Sequence, residues 1–189
     1  MTKKQPEYPD HIGVSTIATR AHEQMIVEGF MDGQPSIMAD EPQGFDIGEP
    51  PVLHGQSRGW TPVHLQLAAL AMCTSITARV VAENQNFAHR DIQTSMTSLI
   101  DIRGFFFDLH LQPKYEQITF DLTVATRESP ARIKALALET DRRCPQLGLF
   151  RAAEVPLLVR WHRRGEKNVV YSKRFNMRGK SPEERLRLR

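Results

Sequence analysis

The stretch TPVHLQLAALAMCTSITARVVAE, Thr61 to Glu83, constrains the fold more than any other part of the chain. Thr61 suits a helix N-cap and Pro62 the first helical position, where a missing N–H costs nothing. From Leu65 to Ile76 the residues are apolar on nearly every side, so a helix here should be covered all round. Polarity returns toward Arg79, Glu83, Asn84 and Gln85, where the helix should emerge. At its centre stands Cys73, one of two cysteines in 189 residues. No window reaches the ~18 unbroken apolar residues that span a bilayer.

Strand patterns surround this helix. STIATRAHEQMIVEGFMDGQPSIMADEP alternates in part and breaks at Asp32-Gly33, a hairpin signal, giving strands at 14–20, 23–30 and 35–40. QGFDIGEPPVLHGQSRGW is rich in Gly and Pro and reads as a long loop of the kind that often carries function. In DIQTSMTSLIDI, the residues Ile92, Thr94, Met96, Ser98 and Ile100 mark one strand face. In QITFDLTVAT, Ile118, Phe120, Leu122 and Val124 mark another. Ser129-Pro130 opens a second helix that runs to about Cys144, where Pro145 stops it. AEVPLLVRWHRR then reads as a strand, with NVVYSKRF as its hairpin partner beyond a turn at Gly165. Ser181 and Glu184 make a capping-box signature for a short terminal helix.

Partial segregation of strands and helices argues for an α+β fold, with antiparallel sheets around the buried helix. One antiparallel sheet does not supply enough cover for a helix apolar on every side. A second copy of the chain is the natural source, so a homodimer is expected. With 40% hydrophobic and 25% charged residues the chain suits one soluble globular domain. The N-terminus MTKKQPEYPD has no apolar stretch behind it, so no secretory signal is visible and a cytoplasmic location is expected.

Charge is unevenly distributed. From Arg160 to Arg189 there are 11 Lys and Arg against 3 acidic residues, an excess of 8 in a chain whose net charge is only +3. The domain is therefore read as 1–163, with 164–189 a basic extension. Such a segment attracts acidic partners or nucleic acid, though its commoner meaning is a solvated surface.

Two cysteines far apart make no disulfide framework, and a permanent bridge is not expected in a reducing compartment. Two readings stay open: inert core thiols, which composition alone favours, or a pair that cycles between thiols and a disulfide. The seven histidines show no HxxxH or HExxH spacing, and no Cys/His cluster appears, so no metal is expected. No phosphate-binding Gly loop follows a strand, and no nucleophile elbow is present, so no cofactor is expected either.

Three places together resemble the OsmC/Ohr family, the osmotically inducible and organic-hydroperoxide-resistance proteins. They are ADEP at Ala39–Pro42, the Thr61–Glu83 helix with its ALAMCTSIT core, and RRCPQ at Arg142–Gln146. The likeness runs over about residues 12 to 162. It implies an α+β fold built as an intertwined homodimer around the Cys73 helix, and thiol-dependent peroxidase activity. By the same likeness Cys73 matches the peroxidatic cysteine, Cys144 the resolving one, and Arg20 the N-terminal arginine that holds the thiolate. Arg58, before the helix, is the second candidate for that arginine. The implied substrate is an organic hydroperoxide, and the implied reductant a small dithiol or dithiol protein. Membrane and nucleic acid are not implied.

The chain departs from the family at one point. Peroxidase members carry a glutamate just after the proline that opens the helix, and it orients the arginine. Here Val63 and His64 follow Pro62. His64 precedes Cys73 by nine residues, which puts it on the opposite helix face and more than about 10 Å away. A thiol in apolar surroundings is inert without a cation or hydrogen-bond donors. On its own helix face only Gln66 and Thr77 are polar. At Cys144 the adjacent Arg142 and Arg143 should favour a thiolate, while the helix C-terminus opposes it. Leu70, Met72, Ile76 and Phe105 to Phe107 are candidates to line an alkyl pocket. The alternative to a peroxidase is a non-catalytic dimer of this fold that binds an apolar ligand or protein partner.

Overall fold

The computed structural model describes residues 13–21, 27–31, 34–38, 62–101, 110 and 112–176. Seven strands and three helices occupy them. They are β1 Gly13–Ala21, β2 Val27–Met31, β3 Gln34–Met38, α1 Pro62–Asn84, β4 Ile92–Asp101, β5 Lys114–Val124, α2 Pro130–Arg143, α3 Pro145–Ala152, β6 Leu157–Arg163 and β7 Val169–Phe175. Thr61, Arg58, the segment 39–60, Phe105 to Phe107 and the stretch 181–189 lie outside the described residues.

All seven strands form one sheet in the order β3-β2-β1-β4-β5-β6-β7. Its neighbours are antiparallel except β5 and β6, which run parallel from Ile118↔Leu157 to Val124↔Arg163. The sheet is therefore mixed, where wholly antiparallel sheets were expected. The cause is the connection: two helices lie between β5 and β6 and carry the chain back to the end where β5 began. The hairpin expected across Gly165 is present, with Trp161 opposite Tyr171 and Gly165 at φ 84°. β7 thus lies within the stretch set apart by its basic charge, and it completes the edge of the sheet.

The strict period of two in β4 and β5 decides which face is covered. Ile92 and Met96 on β4, and Ile118, Phe120, Leu122 and Val124 on β5, are all buried. Leu157, Val159 and Trp161 extend this face along β6. The helices cover it: α1 packs on β1, β2 and β4, and α2 on β6 and β7, while α1 also touches α2 and α3. Each fully buried Leu, Ile or Phe in this layer contributes about 1.5–3 kcal/mol.

α1 begins at Pro62 and stays buried further than its polarity suggested. Arg79 is 7% exposed, and Val81 and Ala82 are sealed. Its C-terminal end is closed by Asn86 at φ 48° and by Arg132 of α2, whose Nη2 donates to the carbonyls of Gln85 and Asn86. By length and composition α1 could also cross a membrane, but more than half of its most apolar window is buried in this fold. Burial in the single chain is one-sided. Leu67, Leu70, Ala71, Thr74, Ala78 and Val81 face the core, while Ala69 and Ile76 are exposed and Leu65, Met72 and Val80 half-buried. These last five form one stripe along the helix, so among the described residues one side of α1 is only partly covered, where the sequence expected cover all round.

α2 starts as expected. Ser129 accepts the Arg132 backbone N–H and Pro130 follows. Near its end Asp141 is 1% exposed, and one of its carboxyl oxygens has no hydrogen-bond partner. Burial pushes its pKa up to about 6, against the opposing pull of Lys173, Arg151 and the Tyr171 hydroxyl. The folded-state value lies above the ordinary 3.8, so the neutral acid favours folding at low pH, and that contribution disappears as pH rises through about 6. We expect Asp141→Asn to raise stability at pH 8 by about 2–3 kcal/mol and to leave it nearly unchanged at pH 3.5, as read by urea unfolding at both pH values. Equal effects at the two values would show that Asp141 does not titrate upward.

Candidate active site: two thiols at a helix junction

Cys144 occupies the corner between α2 and α3. Its N–H donates to the Thr140 carbonyl at 2.9 Å to end α2, and the same residue is the N-cap of α3. Pro145 makes the corner, because it has no N–H to continue α2 and its fixed φ suits the first position of a new helix. The strand-only reading after Pro145 missed α3. The signal was there: Cys144-Pro145 repeats the cap-then-proline arrangement of Ser129-Pro130.

This corner turns the Cys144 side chain inward against the middle of α1. Its Sγ lies 3.7 Å from the Sγ of Cys73 and 3.3 Å from the hydroxyl of Thr74. The two thiols come from positions 71 residues apart, so the packing of α1 on α2 and α3 alone creates the pair. They are not equivalent. Cys144 is 1% exposed, whereas Cys73 is half-buried.

The backbone N–H of Gln146, in the first turn of α3, acts on the Cys73 thiol in the direction that favours its ionised form. The N-cap of α3, Cys144, makes no side-chain hydrogen bond to that turn. An anion there also gains from the helix dipole. Burial outweighs this help. Desolvation pushes the Cys73 thiol above its ordinary 9.0, the Gln146 N–H pulls it back, and the neighbouring Cys144 raises it again. Thr77 acts in the lowering direction, but its one proton already goes to the Cys73 carbonyl at 2.8 Å.

Tyr115 of β5 borders the same end of α1. Its hydroxyl donates to Gln66 Oε1 at 2.9 Å, and its ring stands 6.2 Å from that of Phe150 on α3. Burial pushes its pKa up to about 12, so it is a neutral donor at any ordinary pH. Leu149 on α3 and Ile76 on α1 are exposed, at 56% and 36%.

Other residues singled out in the sequence lie elsewhere. Arg142 is not turned to Cys144: its guanidinium holds both oxygens of Glu139, at 2.6 and 2.9 Å, on the exposed side of α2. Arg20 lies on β1 opposite Gln93 of β4. That register row alternates with the core-facing Ile92, Thr94 and Met96, so Arg20 occupies a position on the sheet face away from its own α1. His64 sits in the first turn of α1, about 14 Å of helix rise before Cys73. Among the described residues, no group of three or more His, Cys, Asp and Glu is placed to hold a metal ion.

The family described as OsmC-like protein matches residues 54–158, more than half of the chain and both cysteines. The chain belongs to the OsmC-like family. Solved structures share its fold at low identity. An OsmC-like protein from Mycoplasma pneumoniae aligns with a TM-score of 0.53 at 15% identity, over 86% of this chain and 99% of that one. An OsmC-like hydroperoxide resistance protein from Jannaschia aligns with 0.54 at 14% identity, over 74% and 86%. An organic hydroperoxide resistance protein from Elizabethkingia anophelis aligns with 0.50 at 11%, over 88% and 100%. No curated protein matches the chain. The OsmC-like assignment accounts for the order of elements, with the Cys73 helix laid across the sheet and Cys144 at the end of the next helix.

Proposed function

We propose that this OsmC-like chain is a thiol-dependent peroxidase that reduces organic hydroperoxides. The observation that carries the proposal is the 3.7 Å approach of two thiols of unequal access. The half-buried Cys73 is the one a substrate can reach, and the sealed Cys144 is the one that can only act on Cys73. Fold relatives named for hydroperoxide resistance add support at the level of the fold.

The chemistry balances with two thiols and an external dithiol. The Cys73 thiolate attacks the terminal peroxide oxygen, the O–O bond breaks, and the alkoxide leaves as the alcohol after taking a proton. Cys73 is then a sulfenic acid. The Cys144 sulfur bonds to it, the S–O bond breaks, and hydroxide leaves with the Cys144 proton as water. A small dithiol or dithiol protein reduces the disulfide, returning both thiols.

The working unit in this proposal is a cytoplasmic homodimer. The stripe of Leu65, Ala69, Met72, Ile76 and Val80 is the side of α1 that a second copy would cover. Arg20 is the proposed cation for the thiolate. In this reading it serves the sulfur of a partner copy, since its register position on β1 lies in the row that alternates with the core-facing residues. Such help is what the raised Cys73 requires, because among the described residues burial and Cys144 outweigh the groups that lower it.

The test is hydroperoxide consumption: cumene hydroperoxide should be turned over with a dithiol reductant, and no turnover would overturn the proposal. The raised Cys73 thiol and the missing family glutamate favour one other reading, a dimer of this fold that binds an apolar ligand or protein partner. Two unmodified thiols after treatment with hydroperoxide would support that reading.

A further inference from the structure

Resting on the peroxidase reading, we infer that Thr74 is a positioning residue for the resolving thiol. It holds the Cys144 proton and aims the Cys144 sulfur at Cys73. Thr74 is fully buried and follows Cys73 directly, so α1 presents the two side chains about 100° apart to the same corner between α2 and α3. Cys144 Sγ fits between them, 3.3 Å from Thr74 Oγ1 and 3.7 Å from Cys73 Sγ.

The direction of the hydrogen bond follows from proton counting. A threonine hydroxyl has one proton, and that of Thr74 is given to the Leu70 carbonyl at 2.8 Å. Only its lone pairs remain for Cys144, so the Cys144 S–H donates and Thr74 accepts. This directs the thiol proton away from Cys73 and leaves the Cys144 sulfur lone pairs free to meet it. A buried thiol without that acceptor would turn its proton into the 3.7 Å gap to Cys73, the line of attack.

In the resolving step the Cys144–Cys73 S–S bond forms and the Cys73 S–O bond breaks. The departing hydroxide takes the proton that Cys144 held on Thr74 and leaves as water. Thr74 neither gains nor loses a proton. Its role is to keep the attacking atom placed and its proton out of the line of attack, so it affects resolution and not the first attack on peroxide.

Thr74→Val keeps the shape of the side chain and removes the acceptor, and Thr74→Ser keeps the acceptor. Each variant is mixed with one equivalent of cumene hydroperoxide, quenched by acid at intervals and weighed by mass spectrometry. Cys73 oxidation should proceed at the wild-type rate in both. Disulfide formation should slow at least about tenfold in Thr74→Val, with Cys73 sulfinic acid accumulating in excess hydroperoxide, and should return in Thr74→Ser. Disulfide closure in Thr74→Val at the wild-type rate would overturn the inference, as would equal slowing in Thr74→Ser. If hydroperoxide leaves wild-type Cys73 unoxidised, the peroxidase reading fails separately. Closure driven by diamide then tests Thr74 by the same comparison. Thr74→Ala replaces the valine variant if circular dichroism shows that the latter is unfolded.

Discussion

Cys73→Ser is expected to lower hydroperoxide turnover by at least about a thousandfold, a rise of about 4 kcal/mol in the barrier. The replacement is close in size, and Cys73 is only half-buried, so the core beneath α1 is undisturbed. A serine hydroxyl at this position does not ionise, and oxygen does not take up a peroxide oxygen as sulfur does. Turnover is measured as loss of cumene hydroperoxide with excess dithiol, using protein whose unfolding midpoint matches wild type. Activity that survived the substitution would place the chemistry elsewhere.

The second large effect is on stability. Phe120 lies at the middle of β5, with Met96 of β4 on one side and Val159 of β6 on the other, and all three are sealed. Phe120→Ala should cost about 3–5 kcal/mol, because the lost ring leaves a cavity that two neighbouring strands cannot close. That is a large share of the ~5–15 kcal/mol by which a domain of this kind is stable. Urea unfolding followed by far-ultraviolet circular dichroism measures it. A cost below about 1 kcal/mol would mean that the β4–β5–β6 face is not the centre of the core.

Much of this architecture was legible in the residues themselves. Ile118, Phe120, Leu122 and Val124 show their buried row through a period of two, and Ser129-Pro130 marks the start of α2 through capping chemistry. Both signals are local, and local signals survive folding when tertiary packing agrees with them. The parallel pairing of β5 with β6 was not legible. It depends on the connection between the strands, and α3 within that connection is short and amphipathic enough to be taken for a loop ahead of β6.

The candidate site divides in the same way. Cys73 and Cys144 stand out as the two cysteines, and their likeness to a family motif paired them. What surrounds them is tertiary. The Gln146 N–H acts on Cys73 because Pro145 starts a new helix, and Thr74 meets Cys144 because α1 crosses the α2–α3 corner. Arg142 shows the opposite error. Proximity in sequence suggested help for Cys144, but its guanidinium finds Glu139 one turn back on the exposed face.

The central claim is that Cys73 and Cys144 act as one redox pair. It is tested most directly by intact and peptide mass spectrometry after one equivalent of cumene hydroperoxide, without reductant. The account predicts a mass lower by two hydrogens and a single cross-linked peptide joining Cys73 to Cys144, with no such species in Cys144→Ser. Two free thiols, or a Cys73 sulfinic acid beside an unmodified Cys144, would contradict it.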